Sequence, residues 1–414
     1  MAFLYHMAIA VYTVLIRMAS PFSAKAKAWV KGRRGWKKEL ENAFAAGDKV
    51  LWFHAASLGE FEQGRPVMEA VRREYPSYKI LLTFFSPSGY LQKKNYPGAD
   101  KVMYLPPDSR RNADCFVSML RPQLAVFIKY EFWFNYLVAL ERNNVPLVFI
   151  SALFREKQHF FQWYGGWFRK RLRKAEHIYL QDTASEELLH RWGIMNTTVS
   201  GDTRFDRVAD ILKIKYEDPA IENFCHGSRV LIAGSTWPPD EELLATIPGN
   251  FPGLKVIIAP HEVREDRIEQ LRSVMDMPVL CYTKDNPAGW HEKQVLLIDT
   301  IGLLSSIYRY ADIAYIGGAF SGGLHNIQEP AVNGIPVIFG PGYQKFREAV
   351  DLAGRGGAFP VKNAAELRQV LNRMLADEKT YRHACQTNRN YMLESTGATQ
   401  KIMEGLGPLL KPGL

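Results

Sequence analysis

Residues 49–76 of the chain read KVLWFHAASLGEFEQGRPVMEAVRREYP. The stretch opens with a short apolar run typical of a buried strand, and residues 61–74 repeat apolar side chains at the spacing of an amphipathic helix. At the joint, Ser57 and Gly59 predict a tight turn. Glu60 opens the helix, where the dipole stabilises a carboxylate. Glu60 is therefore either an ordinary helix-start residue or a catalytic base placed where a ligand reaches it.

The same alternation of strand and helix continues along the chain. Strand-like runs recur at residues 78–86, 101–105, 123–132, 146–154 and 177–182, and after a pause at 203–218 they resume at 229–236, 254–260, 278–283, 294–299, 313–320 and 335–341. This rhythm predicts an α/β fold with two successive doubly wound parallel sheets. Such sheets bind ligands at the carboxyl ends of their strands, so we expect the site in a cleft between two domains.

Four segments follow from this pattern. We predict an anchor helix over residues 1–20, a Rossmann-like domain over 21–205, a second Rossmann-like domain over 206–390, and a helical tail over 391–414. Packing of the tail against the first domain is one option. The cysteines are four, scattered and without a CxxC pair, which fits a reducing compartment and disfavours disulfides and thiolate zinc sites.

The formal charge of +9 is concentrated in two clusters, residues 25–38 and 169–174. Each predicts an anionic partner (nucleic acid, anionic lipid or a phosphorylated substrate) or is a solvated helix face. An RNA-binding surface requires interleaved aromatic side chains. RKRLRK at 169–174 lacks them, although the aromatic-rich segment 160–168 precedes it.

The N-terminal segment is apolar from residue 3 to 16 and is followed by Arg17 and the first basic cluster. It is shorter than the roughly 20 residues of a spanning helix, and no Lys or Arg precedes it as in a signal peptide. It is an interfacial anchor, a marginal single span with its basic side in the cytosol, or a helix packed on the protein's own core. In each case the body of the protein is expected in the cytosol.

A second carboxylate, Glu131, directly follows an apolar strand within VFIKYEFWFN. Its neighbours Tyr130, Phe132 and Trp133 predict partial desolvation. Because desolvation penalises an isolated charge, Glu131 either pairs with a cation or takes part in chemistry.

The second half carries AYIGGAFSGGLHNIQEPAVNGIPVIFGP, residues 314–341. A strand ending at Ile316, a loop with four glycines and a helix starting near Asn326 predict a phosphate site, and Glu329 is placed to accept hydrogen bonds from a ribose. The stretch is neither a Walker loop nor a GxGxxG fingerprint; a glycine-rich surface loop before a capped helix is the alternative. Three further strand ends, at 233–242, 257–266 and 297–304, would line the same cleft. No DxD-type pair occurs, so we expect no metal.

Taken together, HAASLGE (54–60), YEFWFN (130–135), SGDTRFD (200–206), AGSTW (233–237), LIDTIG (297–302) and GGLHNIQEPA (322–331) resemble motifs of the 3-deoxy-D-manno-octulosonic acid (Kdo) transferases of Gram-negative bacteria. The resemblance covers nearly the whole chain, from the apolar N-terminus to GPGYQKFREAVDL (340–352). Six motifs in this order are far more specific than any one of them.

The resemblance implies a GT-B fold and an inverting transfer of Kdo from CMP-Kdo to a lipid A precursor in lipopolysaccharide biosynthesis. It implies that residues 21–205 bind the acceptor and that residues 206–390 bind the CMP-sugar. It also implies anionic lipid of the inner membrane as a partner on the cytoplasmic side, no cofactor or metal, and no nucleic acid. It assigns the general base to Glu60, a transition-state stabiliser to Glu131, and stabilisation of the leaving phosphate to Arg204. The implied donor contacts are Pro260, His261, Ile301, Gly302, Leu303, Asn326, Ile327, Gln328 and Glu329.

Two positions depart from the family pattern. Pro260-His261-Glu262 stands where Pro-Arg-His is frequent, and Leu303 stands where an acidic residue is usual. The first departure leaves open which group provides positive charge for the donor phosphate. The alternatives to a Kdo transferase are another GT-B enzyme, such as a UDP-sugar transferase or a nucleotide-sugar epimerase, and a membrane-associated nucleotide sensor or RNA-binding protein.

Overall fold

The computed structural model describes residues 2–129, 131–212 and 216–410. The chain divides into two compact units. Unit 1 comprises Met1–Asp206 and Thr396–Leu414, and unit 2 comprises Arg207–Ser395. Tyr130, residues 213–215 of the predicted linker and residues 411–414 of the predicted tail lie outside the described residues. The chain leaves unit 1 once and returns to it, so that unit 2 is an insertion.

Unit 1 is built on a parallel sheet, with the order β3-β2-β1-β4-β5-β6-β7 among the described strands. The strands are β1 (Val50–Ala55), β2 (Lys79–Phe84), β3 (Lys101–Tyr104), β4 (Leu124–Ile128), β5 (Leu147–Ala152), β6 (His177–Leu180) and β7 (Thr197–Val199). Every residue of β1, β4 and β5 is buried, which explains their continuous apolar runs. The strand order reverses between β1 and β4, so this is the topological switch point where such sheets bind ligands.

The helices of unit 1 cover both faces of its sheet. They are α1 (Ala2–Ala19), α2 (Ala24–Lys31), α3 (Trp36–Glu41), α4 (Leu58–Glu74), α5 (Pro87–Lys93), α6 (Arg110–Leu120), α7 (Phe134–Arg142), α8 (Gly166–Leu172) and α9 (Thr183–Arg191), and α10 (Arg204–Ile211) leads into unit 2. α4 begins at Leu58 because Ser57 is still extended, with φ −141°. Gly59 therefore lies inside the helix and has no left-handed φ, so the predicted turn does not depend on it.

Unit 2 repeats the architecture, with the strand order β10-β11-β9-β8-β12-β13-β14 in its described part. The strands are β8 (Arg229–Thr236), β9 (Leu254–Pro260), β10 (Val279–Cys281), β11 (Val295–Leu297), β12 (Ile313–Ile316), β13 (Val337–Phe339) and β14 (Ala358–Pro360). The helices are α11 (Pro219–Cys225), α12 (Pro238–Ala245), α13 (Ile247–Asn250), α14 (Glu265–Val274), α15 (Leu304–Ile307), α16 (Gln328–Val332), α17 (Arg347–Arg355), α18 (Ala364–Ala376) and α19 (Glu378–Ser395). The switch point of this sheet lies between β8 and β12.

A final helix, α20 (Ala398–Leu410), completes unit 1. Its residues Ile402 and Leu406 are fully buried in one core cluster with Val67 and Val71 of α4. The Tyr78 hydroxyl donates a 2.6 Å hydrogen bond to the carbonyl of residue 410. Chain segments more than 300 residues apart thus form one hydrophobic core.

The N-terminal helix α1 has two different sides. Toward unit 1, the Tyr5 hydroxyl donates to Asp108 Oδ2 at 2.5 Å, and His6 Nε2 lies 2.8 Å from Asn135 Oδ1. The other side exposes large apolar side chains: Phe3, Leu4, Met7, Val11, Val14, Leu15 and Met18. Among the described residues, no single helix has both the length and the apolar character needed to cross a membrane. The pair α1 and α2, bent by 119°, meets that test only when taken together.

Candidate active site

Glu60 lies beside the switch point of unit 1, in the first turn of α4. Its side chain is half-buried, and the Ser57 hydroxyl donates a hydrogen bond to Glu60 Oε2. Ser57 makes no side-chain bond to the helix backbone, so its hydroxyl orients the carboxylate rather than capping α4. The result is a fixed carboxylate that remains accessible at the carboxyl edge of the sheet.

Glu131 follows β4 and is 6% exposed. Trp133 Nε1 donates to Glu131 Oε2 at 2.6 Å, and His54 Nε2 lies 3.1 Å from the same oxygen. The other ring nitrogen of His54 is 2.8 Å from the Thr83 hydroxyl. Glu131 thus belongs to a buried hydrogen-bond network that begins inside β1. Its role as a transition-state stabiliser stays a prediction.

Arg204 begins α10, and its guanidinium binds Asp202 through two nitrogens, Nε at 2.9 Å and Nη2 at 2.6 Å. The intervening Thr203 donates through its hydroxyl to the carbonyl of Gln63 in α4. The turn that carries Arg204 is therefore fastened to the helix that carries Glu60. A guanidinium held in this way is pre-oriented for an anion, although Asp202 offsets part of its charge.

Lys129 is a site residue that the sequence analysis missed. It follows β4 with φ +65°, a left-handed conformation that costs a residue with a side chain about 1–2 kcal/mol. Its N–H bonds to the carbonyl of Ile150 at 2.9 Å, which fixes the strained residue at the strand end. Backbone strain of this kind clusters at functional sites. The signal available in the sequence was a lysine placed directly after five apolar residues.

The ammonium group of Lys129 lies among charged groups from several strand ends. Burial lowers the pKa of Lys129, and among the charges around it Glu60 acts in the opposite direction and Arg204 in the same direction. Asp202 and Arg155 also contribute. At the carboxyl edge of the unit 1 sheet, three cations therefore lie with the carboxylates of Glu60, Asp202 and Glu131, so positive charge is available there for an anionic group of a substrate.

In unit 2, aromatic rings from three strand ends form a stack. The Trp237 and His261 rings are 4.7 Å apart at 26°, and those of His261 and His325 are 4.4 Å apart at 25°. Trp237 Nε1 donates to His325 Nε2 at 3.0 Å. His261 is exposed and His325 is half-buried. Burial lowers the pKa of His325, and so does His261.

The glycine loop after β12 differs from the predicted phosphate cradle. The N–H of Gly318 donates to Asp240 Oδ2 at 3.0 Å, and those of Gly317 and Gly323 donate to backbone carbonyls. Gly318 is required here because its φ is +93° and a Cβ would lie 2.8 Å from the His325 ring. The following helix, α16, starts at Gln328 and has only five residues, so it offers no substantial dipole. The amides of Gly317, Gly318 and Gly323 are thus engaged within the protein, and Gly318 leaves the space that the His325 ring occupies.

The other predicted donor residues lie at the ends of adjacent strands. Pro260 ends β9; residues 301–303 follow β11, where Ile301 is 85% exposed and Gly302 has φ +91°. Residues 326–329 follow β12. Since β12, β8, β9 and β11 are neighbours, the sheet brings these segments to one edge.

Within the segment 326–329, the side chains differ in environment. Ile327 and Gln328 are buried. Burial raises the pKa of Glu329, and Asn326 Nδ2 donates to this carboxylate at 3.1 Å. Neither amide atom of Gln328 has a hydrogen-bond partner among the described residues. A half-buried carboxylate with a raised pKa and a buried amide without partners both destabilise a protein without a ligand, which points to binding.

Metal ligands are not grouped in the described part of the chain. Its His, Cys, Asp and Glu side chains form no set of three or more that could hold a metal ion, and its four cysteines are free thiols.

Comparisons with known proteins confirm the resemblance drawn from the motifs. Residues 29–207 match the family model of 3-deoxy-D-manno-octulosonic-acid transferases. The transferase of that name from Aquifex aeolicus is 28% identical over 353 residues, 83% of this chain and 90% of the relative. That from Haemophilus influenzae is 24% identical over 384 residues, 89% of each chain.

Solved structures share the fold. The UDP-GlcNAc 2-epimerase from Neisseria meningitidis bound to UDP-GlcNAc has a TM-score of 0.61 at 14% identity, covering 87% of this chain and all (100%) of that one. A UDP-N-acetylglucosamine 2-epimerase from Listeria monocytogenes has a TM-score of 0.59 at 11% identity, with 87% and 96% covered. These similarities establish the GT-B-like α/β architecture and carry no information on substrate.

Proposed function

We propose that this chain, which resembles the Kdo transferases over most of its length, is an inverting glycosyltransferase that moves Kdo from CMP-Kdo to a lipid A precursor. The observation that carries the proposal is Glu60, an accessible carboxylate oriented by the Ser57 hydroxyl at the switch point of unit 1. The relatives, named as Kdo transferases, support a Kdo glycosyltransferase. The identities of the donor and the acceptor, and the roles of the site residues in the reaction, are our proposal.

In the proposed reaction, Glu60 removes the proton from a hydroxyl of the acceptor as its oxygen attacks the anomeric carbon of Kdo. The new glycosidic bond forms as the bond from that carbon to the phosphate oxygen breaks, and CMP leaves with the electron pair. General-base assistance contributes about 10²- to 10⁴-fold in rate. The transition state has oxocarbenium character, as in glycosyl transfer generally.

Charged residues of unit 1 stabilise this transition state in the proposal. Arg204, pre-oriented by Asp202, and Lys129 supply positive charge for the anionic groups of the reactants. Glu131 orients the rings of Trp133 and His54 through its hydrogen bonds, and its negative charge favours the oxocarbenium ion.

The donor is assigned to unit 2. Glu329 accepts hydrogen bonds from the ribose, and the exposed loop at 301–303 contacts the nucleotide through its backbone. Both segments lie at the carboxyl edge of the unit 2 sheet, where doubly wound folds bind nucleotides. No metal ion takes part in the proposed mechanism.

The exposed side of α1 provides the proposed membrane contact. Its apolar side chains lie next to Arg17 and the basic residues of α2. An apolar face with adjacent cations is typical of helices that lie in the interface of an anionic bilayer. We therefore assign the protein to the cytoplasmic side of the inner membrane, with no nucleic acid as partner.

The test is reconstitution. Purified protein, a CMP-Kdo generating system and a tetra-acylated disaccharide acceptor are incubated, and the products are read by mass spectrometry. Addition of one or more Kdo residues is expected. Because the shared fold also occurs in epimerases, a parallel reaction contains UDP-GlcNAc and is analysed for its 2-epimer. Epimerisation without Kdo transfer would contradict the proposal.

A further inference from the structure

Within the ring stack of Trp237, His261 and His325, the hydrogen bond from Trp237 to His325 determines the protonation state of His325. Since indole nitrogen only donates, Trp237 Nε1 requires an unprotonated Nε2 on His325. His325 is therefore held as a neutral imidazole, and both burial and its neighbour His261 lower its pKa in agreement. His261 lies against this neutral ring and is open to solvent.

The arginine nearest to His261 in sequence, Arg264, is already paired. Arg264, three residues after His261, contacts Glu262 at 3.3 Å and Asp266 at 3.4 Å. Among the acidic groups, Asp240 accepts bonds from the N–H groups of residues 237 and 318 and from the hydroxyl of residue 315. The group near the stack that gains a charge by taking up a proton is thus the exposed imidazole.

We propose that His261 takes up a proton, and so becomes positively charged, when the phosphate group of the donor nucleotide binds beside it. This inference rests on the proposed function. The neutral His325 serves as its stacking partner and does not repel the imidazolium. Trp237 keeps His325 in that state. The stack therefore provides the positive charge that an arginine would supply permanently.

The size of the effect follows from general values. An imidazole in water titrates near pH 6.5, and a neighbouring opposite charge raises its pKa by roughly 1–3 units. At pH 7.5 these values predict uptake of roughly 0.4 to 0.9 proton for each nucleotide bound. The phosphate of CMP has a second pKa of about 6, so nearly all of it is already dianionic at this pH.

The experiment is calorimetric titration of the full chain with CMP at pH 7.5, in two buffers with different ionisation enthalpies. The difference in observed enthalpy gives the number of protons taken up. We expect roughly 0.4 to 0.9 proton for the wild type, and none for His261→Gln or His261→Arg. His261→Arg should bind CMP at least as tightly as the wild type at pH 8.5, since its charge is permanent. His226→Gln, an exposed histidine elsewhere in unit 2, is the matched control and should keep the uptake.

Each outcome has a distinct meaning. Binding of CMP without proton uptake overturns the inference and leaves the proposed donor class intact. Uptake that persists in His261→Gln assigns the proton to another group and also overturns it. If CMP does not bind to a folded wild-type protein, the proposed donor is wrong, and the inference is overturned with it.

Discussion

Replacement of Glu60 by glutamine tests the proposed reaction most directly. The two side chains have nearly the same shape, and the amide oxygen of glutamine still accepts the hydrogen bond from Ser57. The change removes the ability to take a proton. We expect kcat to fall by at least about a hundredfold, the low end for a lost general base, which corresponds to about 2.7 kcal/mol in activation free energy.

The structure also limits what else this substitution changes. Glu60 is half-buried in the first turn of α4, so its interaction with the helix dipole is worth about 0.3–1 kcal/mol. For a unit of this size the melting temperature should fall by no more than about 4 °C. Affinity for CMP should stay unchanged, because the proposed donor residues belong to unit 2.

The assay is the rate of Kdo transfer to a detergent-dispersed acceptor, measured across pH. If Glu60 is the base, the decline of kcat toward acidic pH should vanish in the residual activity of the variant. Glu62→Gln is the matched control: this residue lies two positions along the same helix and pairs with Lys93 at 3.4 Å, and the change should leave kcat within a few-fold. A Glu60→Gln protein that turns over at the wild-type rate would make Glu60 a helix-start residue and nothing more.

Four further outcomes are expected. Burial raises the folded-state pKa of Glu329, so ionisation of this carboxyl destabilises unit 2 as pH rises. Glu329→Gln should therefore raise the melting temperature at pH 7, and this gain should vanish below about pH 4. The same substitution should weaken CMP binding roughly 10- to 100-fold. Equal melting curves or equal calorimetric affinity would argue against this. Lys129→Gly relieves a left-handed φ, so its stability in denaturant titrations should stay within about 1 kcal/mol of wild type while kcat/KM falls. The control is Asn144→Gly, at an exposed residue with φ +53°, which should leave kcat/KM unchanged. The double change Leu4→Ser and Leu15→Ser should reduce co-sedimentation with anionic vesicles at least about tenfold, and equal binding would refute the membrane assignment of α1. Transfer from purified CMP-Kdo should persist in excess EDTA; loss that Mg²⁺ restores would show that a metal is needed.

The sheets were predictable because burial of both strand faces leaves continuous apolar runs. β1, β4 and β9 each read as such a run, and the amphipathic helix after β1 was evident from its spacing. By contrast, β7 and β14 are edge strands that are only partly buried, so they lack a continuous apolar run, and neither was predicted.

The position of the site was predictable from the sequence. The contacts that determine its chemistry were predictable only in part. Glu60 and His261 were singled out because they follow strands, where doubly wound sheets bind ligands. Contacts between distant parts of the chain were not accessible: Trp237 and His325, whose hydrogen bond defines the stack, are 88 positions apart. Lys129 is strained by its backbone, and the sequence letter alone does not report a φ angle.

The insertion of unit 2 into unit 1 has a consequence for synthesis on the ribosome. The 189 residues of unit 2, Arg207–Ser395, are made between the two parts of unit 1. At roughly 5–20 residues per second, this takes about 10–40 s. Throughout that interval Val67 and Val71 on α4 lack the cover of α20, while unit 2 emerges as one continuous segment. A nascent chain that stalls before residue 396 therefore carries a sheet with an uncovered apolar helix, a target for chaperones and for aggregation.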